Sequence, residues 1–304
     1  MLTRHPATLD DFRGLFSESG DPRQWAHVPS GVTYRRAIAT LAEELECDPD
    51  ERAVFEARLS CQPEEYASRL LRATRTELLF LDDGFPAEGD GYGWQAMGEL
   101  AGCRARPVLR IEARTRPEVD AASARANGFV ALKTIAAYRG GLRLAPEHPL
   151  WRVLRANEET GAPLPVQVHC GFGDGDLLLP HADPGWLKPV FEMFAETAFV
   201  LLHCYPFVRE AGWLAHVYAN VYLDLSLTIP FVARPAEHLR EALELTPVSK
   251  LLYASDAARA PELYFLAARW WREALAEVLP ELLDEEAANA GRAILRENAL
   301  RLYL

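Results

Sequence analysis

Seven short apolar runs punctuate the chain after residue 76: ELLFLDD (77–83), RPVLRIE (106–112), GFVALKT (128–134), LPVQVHC (164–170), AFVLLHC (198–204), NVYLDLS (220–226) and KLLYASD (250–256). Between them lie stretches of about 15 to 30 residues with helical composition, such as WLKPVFEMFAETA and PAEHLREALEL. Apolar strands alternating with helices imply βαβ units, and hence a parallel sheet whose strands are covered on both faces. Recurrence at roughly 20 to 37 residues suits one (β/α)8 barrel better than an open doubly wound sheet. No Gly-x-Gly-x-x-Gly follows an early strand, which argues against dinucleotide binding. The expected fold class is therefore α/β, a TIM-like barrel. Seven runs are one short of a closed barrel.

The first 75 residues read differently. TYRRAIATLAEELE (33–46) and PEEYASRLLRAT (63–74) carry apolar residues at i, i+3 and i+4, the pattern of amphipathic helices. Thr8 to Asp11 form a possible capping box before another helix. The expected organisation is one domain over 1–304, with a mainly helical segment (1–75) preceding strands two to eight (76–304).

Composition narrows the function classes. A chain of 304 residues that is 49% hydrophobic can bury a large core. Its net charge of −12, with no basic block, argues against nucleic acid as a partner. No run of about 18 apolar residues exists to span a membrane, and MLTRHPATLDDF lacks the apolar core of a signal peptide. The five cysteines, at 47, 61, 103, 170 and 204, show no CxxC spacing, which fits a reducing cytoplasm. A small-molecule substrate is the expected partner.

In such a barrel the active site sits at the C-terminal ends of the strands. The polar residues that end the apolar runs are Asp82, Asp83, Glu112, Lys133, His169, His203, Asp224 and Asp256. A buried imidazole costs free energy unless both ring nitrogens are satisfied, and two of them beside a carboxylate suit Zn²⁺ or a similar divalent ion. An ion of that kind lowers the pKa of bound water to about 7, and a carboxylate can shuttle the proton.

The runs VALKTIAAYRGGL, VHCGFGDGD, LLHCYPFVREAGWLA, NVYLDLSL and LLYASDA resemble the amidohydrolase superfamily, and within it the amidohydrolase-related branch that includes domains fused to glutamine-synthetase-like domains. The resemblance covers residues 75 to 304 well and the helical start more loosely. It implies a metal-dependent barrel that hydrolyses, or in some branches decarboxylates or isomerises, small polar substrates. It implies that His169 and His203 are the histidines of strands five and six. Asp256 then corresponds to the strand-eight aspartate that binds metal and takes the proton from the attacking water. Lys133 falls where some members carry a carboxylated, metal-bridging lysine. The implied cofactor is one or two divalent ions, with zinc, manganese and iron all compatible with the ligands.

The pattern departs in one place. The superfamily opens with His-x-His on strand one, and this chain has none; its first histidine is His5, in TRHPATLDDF, with no strand before it. Either the natural start lies upstream or the strand has been lost. A site of two histidines and one aspartate then binds metal weakly, so substoichiometric or absent metal is expected. A gap between the strands at 77–82 and 250–255 leaves open edges, which invite a homodimer or a covering helix from residues 1 to 75.

Other readings stay open for single residues. Lys133 could pair with a carboxylate such as Glu112 across the barrel mouth. Arg139, with Tyr138 and Glu112 beside it, is a candidate substrate contact, a surface salt bridge being the alternative. Asp224 suits a structural acceptor or a pocket wall, and Asp82 and Asp83 suit turn caps. Arg209 and Glu210 read as a structural ion pair. Cys170 and Cys204 alternate away from the histidines and read as small core hydrophobes. The function expected is metal-dependent hydrolysis of a C–N or C–O bond. A decarboxylase of the same superfamily and an inactive binding or structural barrel are its rivals.

Overall fold

The computed structural model describes residues 4–82, 84, 93–112, 120–257 and 260–304. Its sheet has seven parallel strands: β1 (Leu78–Asp82), β2 (Arg104–Arg110), β3 (Ala131–Thr134), β4 (Val166–Cys170), β5 (Phe199–His203), β6 (Val221–Asp224) and β7 (Leu251–Leu252). They pair in sequence order, so β1 and β7 are the two edges of an incomplete barrel. Six of the seven apolar runs named from the sequence contain one of these strands, and the seventh, 106–112, overlaps β2, which begins two residues earlier. Asp83, weighed as a turn cap, lies outside the described residues.

Period-two alternation sorts the strand residues between two layers. Leu109, Leu132, Val166, Val168, Leu201, Val221, Leu223 and Leu251 face the helices and join the main core. Val108, Ala131, Val200, Leu202 and Leu252 face inward and pack with Tyr303. Each such side chain, fully buried, contributes about 1.5–3 kcal/mol relative to exposure. Cys170 and Cys204, both wholly buried, belong to the helix-facing core, as alternation requires for Cys170 beside an inward His169.

The helical start packs on the flank of this layer. Thr8 caps Leu9–Gly14 with the reciprocal Thr8–Asp11 bonds of a capping box. Helix Val32–Leu45 ends where Glu46 turns left-handed, at φ 58°. Helix Glu51–Leu59 starts on Asp50, whose carboxylate accepts from the N–H groups of Arg52 and Ala53 at 2.9 and 3.1 Å. Its Arg58 pairs with Glu262 of the long helix Pro261–Leu283, both side chains being fully buried. Trp270 and Trp271 of that helix are 0% exposed and belong to the core.

The C-terminal turns close the bottom of the barrel. Tyr303, on the helix Asn298–Tyr303, reaches into the inner layer, with its ring 4.7 Å from that of Phe80 on β1. Its hydroxyl accepts from the Gln167 amide of β4 at 3.1 Å. Between β1 and β7 runs a cavity of about 620 Å³, bordered by both edge strands, by Tyr253 to Ala257, and by Leu71 and Thr74 of the helical start. No described helix is long and apolar enough to cross a membrane.

Candidate active site

The inward face of the sheet changes from apolar to polar at the C-terminal ends of the strands. Asp82, Arg110, Lys133, His169 and Asp224 each follow an inward apolar or amide residue at a spacing of two. Asp256 comes four residues after β7, on a left-handed backbone (φ 47°).

His203 breaks the rule. On β5 the pleat sends Leu202 inward and would send His203 toward the helices with Leu201. Left-handed backbone at His203 (φ 66°) and Cys204 (φ 65°) ends the alternation and turns the imidazole into the site. Such a conformation costs a non-glycine residue roughly 1–3 kcal/mol. Several bonds hold it. Asp224 accepts from the His203 N–H at 2.9 Å, and the Thr228 hydroxyl donates to the His203 carbonyl at 2.7 Å.

The ring protons of His203 follow from its neighbours. The Ser226 hydroxyl donates to Asp224 Oδ1 at 2.6 Å, so its oxygen accepts from His203 Nδ1–H at 2.7 Å. That leaves the Nε2 lone pair directed into the site. His169 Nδ1 lies 3.0 Å from that nitrogen, and Asp256 Oδ2 lies 3.4 Å from it. Burial pushes the pKa of both imidazoles well below the ordinary histidine value; the neighbouring His203 pushes His169 further down, and Lys133 does the same to His203. Both rings are neutral. Burial also lifts Asp224 to about 6, against the hydrogen bonds from Ser226 and the His203 N–H.

Among the described residues, His169 Nε2 is buried without a hydrogen-bond partner. Its ring packs on Tyr138 with centroids 4.7 Å apart, and the Tyr138 hydroxyl accepts from Asp174 N–H at 3.2 Å. Gly173 has to be glycine here. A Cβ would overlap the Tyr138 hydroxyl and come within 3.1 Å of His169 Nε2.

Lys133 lies between two carboxylates, with Nζ 3.4 Å from Asp256 Oδ1 and 3.5 Å from Asp82 Oδ2. Burial opposes its charge, but Asp256 and Asp82 outweigh burial and raise the ammonium pKa. Glu112 is not its partner. That carboxylate accepts from the Thr134 hydroxyl and from Ile135 N–H at 3.1 Å, bracing the end of β3. Arg139 is exposed, and its guanidinium lies against its neighbour's carbonyl, 3.4 Å from Tyr138 O. It follows the short turn Ala136–Tyr138 and is not among the residues that line the cavity between β1 and β7. Arg209 pairs with Glu241 at 2.6 Å rather than with Glu210.

Two participants, Ser226 and Arg110, escaped the sequence reading, and Asp82 does more than the turn cap weighed for it. Ser226 sits two residues past Asp224 on the same face, a signal that the DLS triplet carries. Arg110 ends β2 inward and donates to Asp82 Oδ2 from Nε at 2.8 Å and Nη2 at 2.5 Å. Asp82 does cap its turn, accepting from Gly84 N–H at 3.0 Å, but it also anchors Arg110 and Lys133.

The donor set suits a divalent metal. Two ligands at about 2.0–2.2 Å from a shared ion stand roughly 3 to 3.5 Å apart, which the His169–His203 and His203–Asp256 separations match. Neutral rings, each with one lone pair to give, fit the same group. Among the described residues no group of three or more His, Cys, Asp and Glu side chains is placed so that it could hold a metal ion as it stands, so the pairwise approaches to His203 are what fit one.

A parallel α/β barrel with its polar residues gathered at one end of the strands defines the structural class. The chain belongs to the amidohydrolase family: the family model Amidohydro_2 (Amidohydrolase) matches residues 104–304. Protein fluG of Emericella nidulans is 41% identical over 160 residues, which are 50% of this chain and 18% of that protein. The match thus spans less than a fifth of the length of that relative. A solved structure from Lactobacillus casei, described as a metal-dependent hydrolase, superposes with a TM-score of 0.83 at 26% identity, covering 100% of this chain and 92% of that one. A TIM-barrel protein of Bordetella bronchiseptica shares the fold, with a TM-score of 0.55 at 19% identity over 89% of this chain and 91% of that one.

Proposed function

We propose that the protein is a metal-dependent hydrolase that cleaves a C–N or C–O bond of a small polar substrate. The approach of His169 Nδ1 and of Asp256 Oδ2 to His203 Nε2, at the C-terminal end of an amidohydrolase-family barrel, carries this reading. His169, His203 and Asp256 would hold the ion, with zinc the first choice for two imidazoles and a carboxylate. A divalent ion there supplies a water acidified to a pKa of about 7.

The chain's own residues do the rest. Asp224 and Ser226 fix the tautomer of His203, so that Nε2 presents a lone pair. Lys133 holds Asp256 Oδ1 and leaves Oδ2 aimed at the site, where it takes the proton of the attacking water and returns it to the leaving group. Tyr138 packs against His169 and fixes the plane of its ring. The Lys133 ammonium serves as this positioning cation, between Asp256 and Asp82.

The test is a comparison of zinc-loaded variants on a panel of amides, lactones and esters. Asp256→Asn is expected to keep most of its metal and lose about 10²–10⁴-fold in turnover, the usual loss for a general base. His203→Ala is expected to lose metal and rate together. Near-normal turnover by metal-loaded Asp256→Asn would overturn the scheme.

A further inference from the structure

Asp256 stands in the site on strained backbone. A left-handed φ of 47° on an aspartate persists only where its surroundings over-determine it. The carboxylate itself supplies little of that restraint. Its approaches to Lys133 Nζ and to His203 Nε2 are both 3.4 Å, against about 2.7–2.9 Å for a strong charge-assisted bond. The backbone on either side has to hold the turn.

On one side, the Trp271 indole Nε1–H donates to Ala254 O at 3.1 Å. On the other, the long helix Pro261–Leu283 begins, and its N-cap is Ala260, which has no side chain to bond the first N–H groups. The first turn is gripped from outside instead. Glu262 lies in it and pairs with Arg58 of the helix Glu51–Leu59, their side chains being 0% and 1% exposed. The Arg58 guanidinium also lies over the buried ring of Tyr66, on the helix Pro63–Ala73, 5.0 Å from its centroid.

Burying two charges costs desolvation that an apolar pair of similar volume avoids, and such replacements are often neutral or stabilising. Stability alone therefore does not account for an ion pair at this depth. Directionality does, because each charge demands its partner at one place and an apolar contact does not.

We propose that Arg58 and Glu262 are positioning residues of the site: their pair fixes the start of the long helix, and with it the turn that aims Asp256. The helical start of the chain is thereby part of the site. The task of Asp256 rests on the hydrolase reading; the restraint on its backbone does not.

Hydrogen exchange of the purified protein, followed by NMR, tests the restraint. Two protons report on it: Leu263 N–H, bonded to Ala260 O at 3.1 Å in the first turn, and the Trp271 indole proton. Leu132 N–H, bonded to Pro165 O at 2.9 Å, reports on global unfolding. In Arg58→Met/Glu262→Leu, which removes both charges of the pair, the two reporters are expected to exchange at least about tenfold faster. Leu132 should change less than about twofold, the mark of a local opening. Zinc-loaded, the same variant should lose about 10²-fold in kcat on the amide, lactone and ester panel with little change in KM, as for a slightly misplaced catalytic group. If it does not fold, Arg58→Lys is the second probe, with the same pattern expected in smaller measure. Equal acceleration of all three protons would make the pair a stability element and overturn the proposal. Unchanged exchange, or unchanged kcat beside faster exchange, would overturn it as well. An inactive wild type whose two reporters still depend on the pair would sink the hydrolase reading and leave the restraint standing.

Discussion

His169 Nδ1 and His203 Nε2 stand 3.0 Å apart although their backbones are out of step: the register partner of His169 is Leu202. The left-handed turn at His203 closes that one-residue offset, and the Asp224–Ser226 pair secures it. The chemistry of the site depends on a local break in the strand.

Ser226→Ala tests that dependence. It removes the acceptor of His203 Nδ1–H and one donor to Asp224, which stay buried. Loss of a hydrogen-bonding group behind a ligand imidazole typically costs 10–100-fold in metal affinity, so zinc affinity by competition with a chelating dye is expected to fall by about that factor. Stability is expected to fall by about 1–3 kcal/mol. Unchanged zinc affinity would mean that the tautomer is set elsewhere.

Gly173→Ala should disturb the other ring. The added Cβ overlaps the Tyr138 hydroxyl. Overpacking of this kind costs about 1–3 kcal/mol, read as a lowered unfolding midpoint in urea. Tyr138→Phe removes the obstructing oxygen, so the double variant should recover part of the loss, giving a favourable coupling energy. Additive effects would show that Gly173 answers to a different neighbour.

Acid stability should report on the helical start. Glu51 accepts from Arg13 Nε and from the Tyr34 hydroxyl, each at 3.0 Å, and these bonds, Arg13 first, hold its pKa below the ordinary 4.5. A lowered carboxylate pKa stabilises the fold above the unfolded value and loses that stabilisation as pH falls through the folded one. Glu51→Gln should therefore be less stable than wild type at neutral pH. The gap should close below pH 4.5 as the wild-type carboxyl protonates. A gap of constant size from neutral to acid pH would refute the ionic account.

Tyr303→Ala removes the plug of the inner layer. Truncating a buried aromatic ring costs about 3–5 kcal/mol, and the Gln167 amide loses its acceptor as well. Tyr303→Phe keeps the ring against Phe80 and forfeits only the hydroxyl, so it should cost about 0.5–1.5 kcal/mol. Equal losses in the two variants, by urea denaturation, would move the stabilisation from the ring to the hydrogen bond.

Much of the molecule was written locally. Apolar runs of strand length, separated by helical stretches, dictate a parallel sheet, because only crossover helices can cover both faces of such strands. Alternation within those runs sets which residues face inward, and it is legible wherever the pleat is regular: Lys133, His169 and Asp224 all obey it. Asp256 was named as the end of an apolar run and took its role from the resemblance, while Tyr138 was named only by its place beside Arg139, since no periodicity reaches past the end of a strand. His203 could be named from its place at the end of an apolar run, but its inward direction was not legible, because a positive φ on a histidine is a strained state that only tertiary hydrogen bonds can hold. For the same reason the partners of Lys133 were misplaced. Which carboxylate meets which cation depends on how far each strand advances before it turns, and Glu112 turns back to brace Thr134 while Asp82 and Asp256 reach across the barrel. Arg139 reads as an anchor in sequence and as surface in the fold, exposed after a single turn of 3₁₀ backbone. Residue type and spacing determined the barrel and the kinds of atoms its mouth would hold. Their pairing was decided by tertiary structure, because charges and lone pairs a hundred residues apart choose partners by distance, and sequence carries no distance between strands that are not yet side by side.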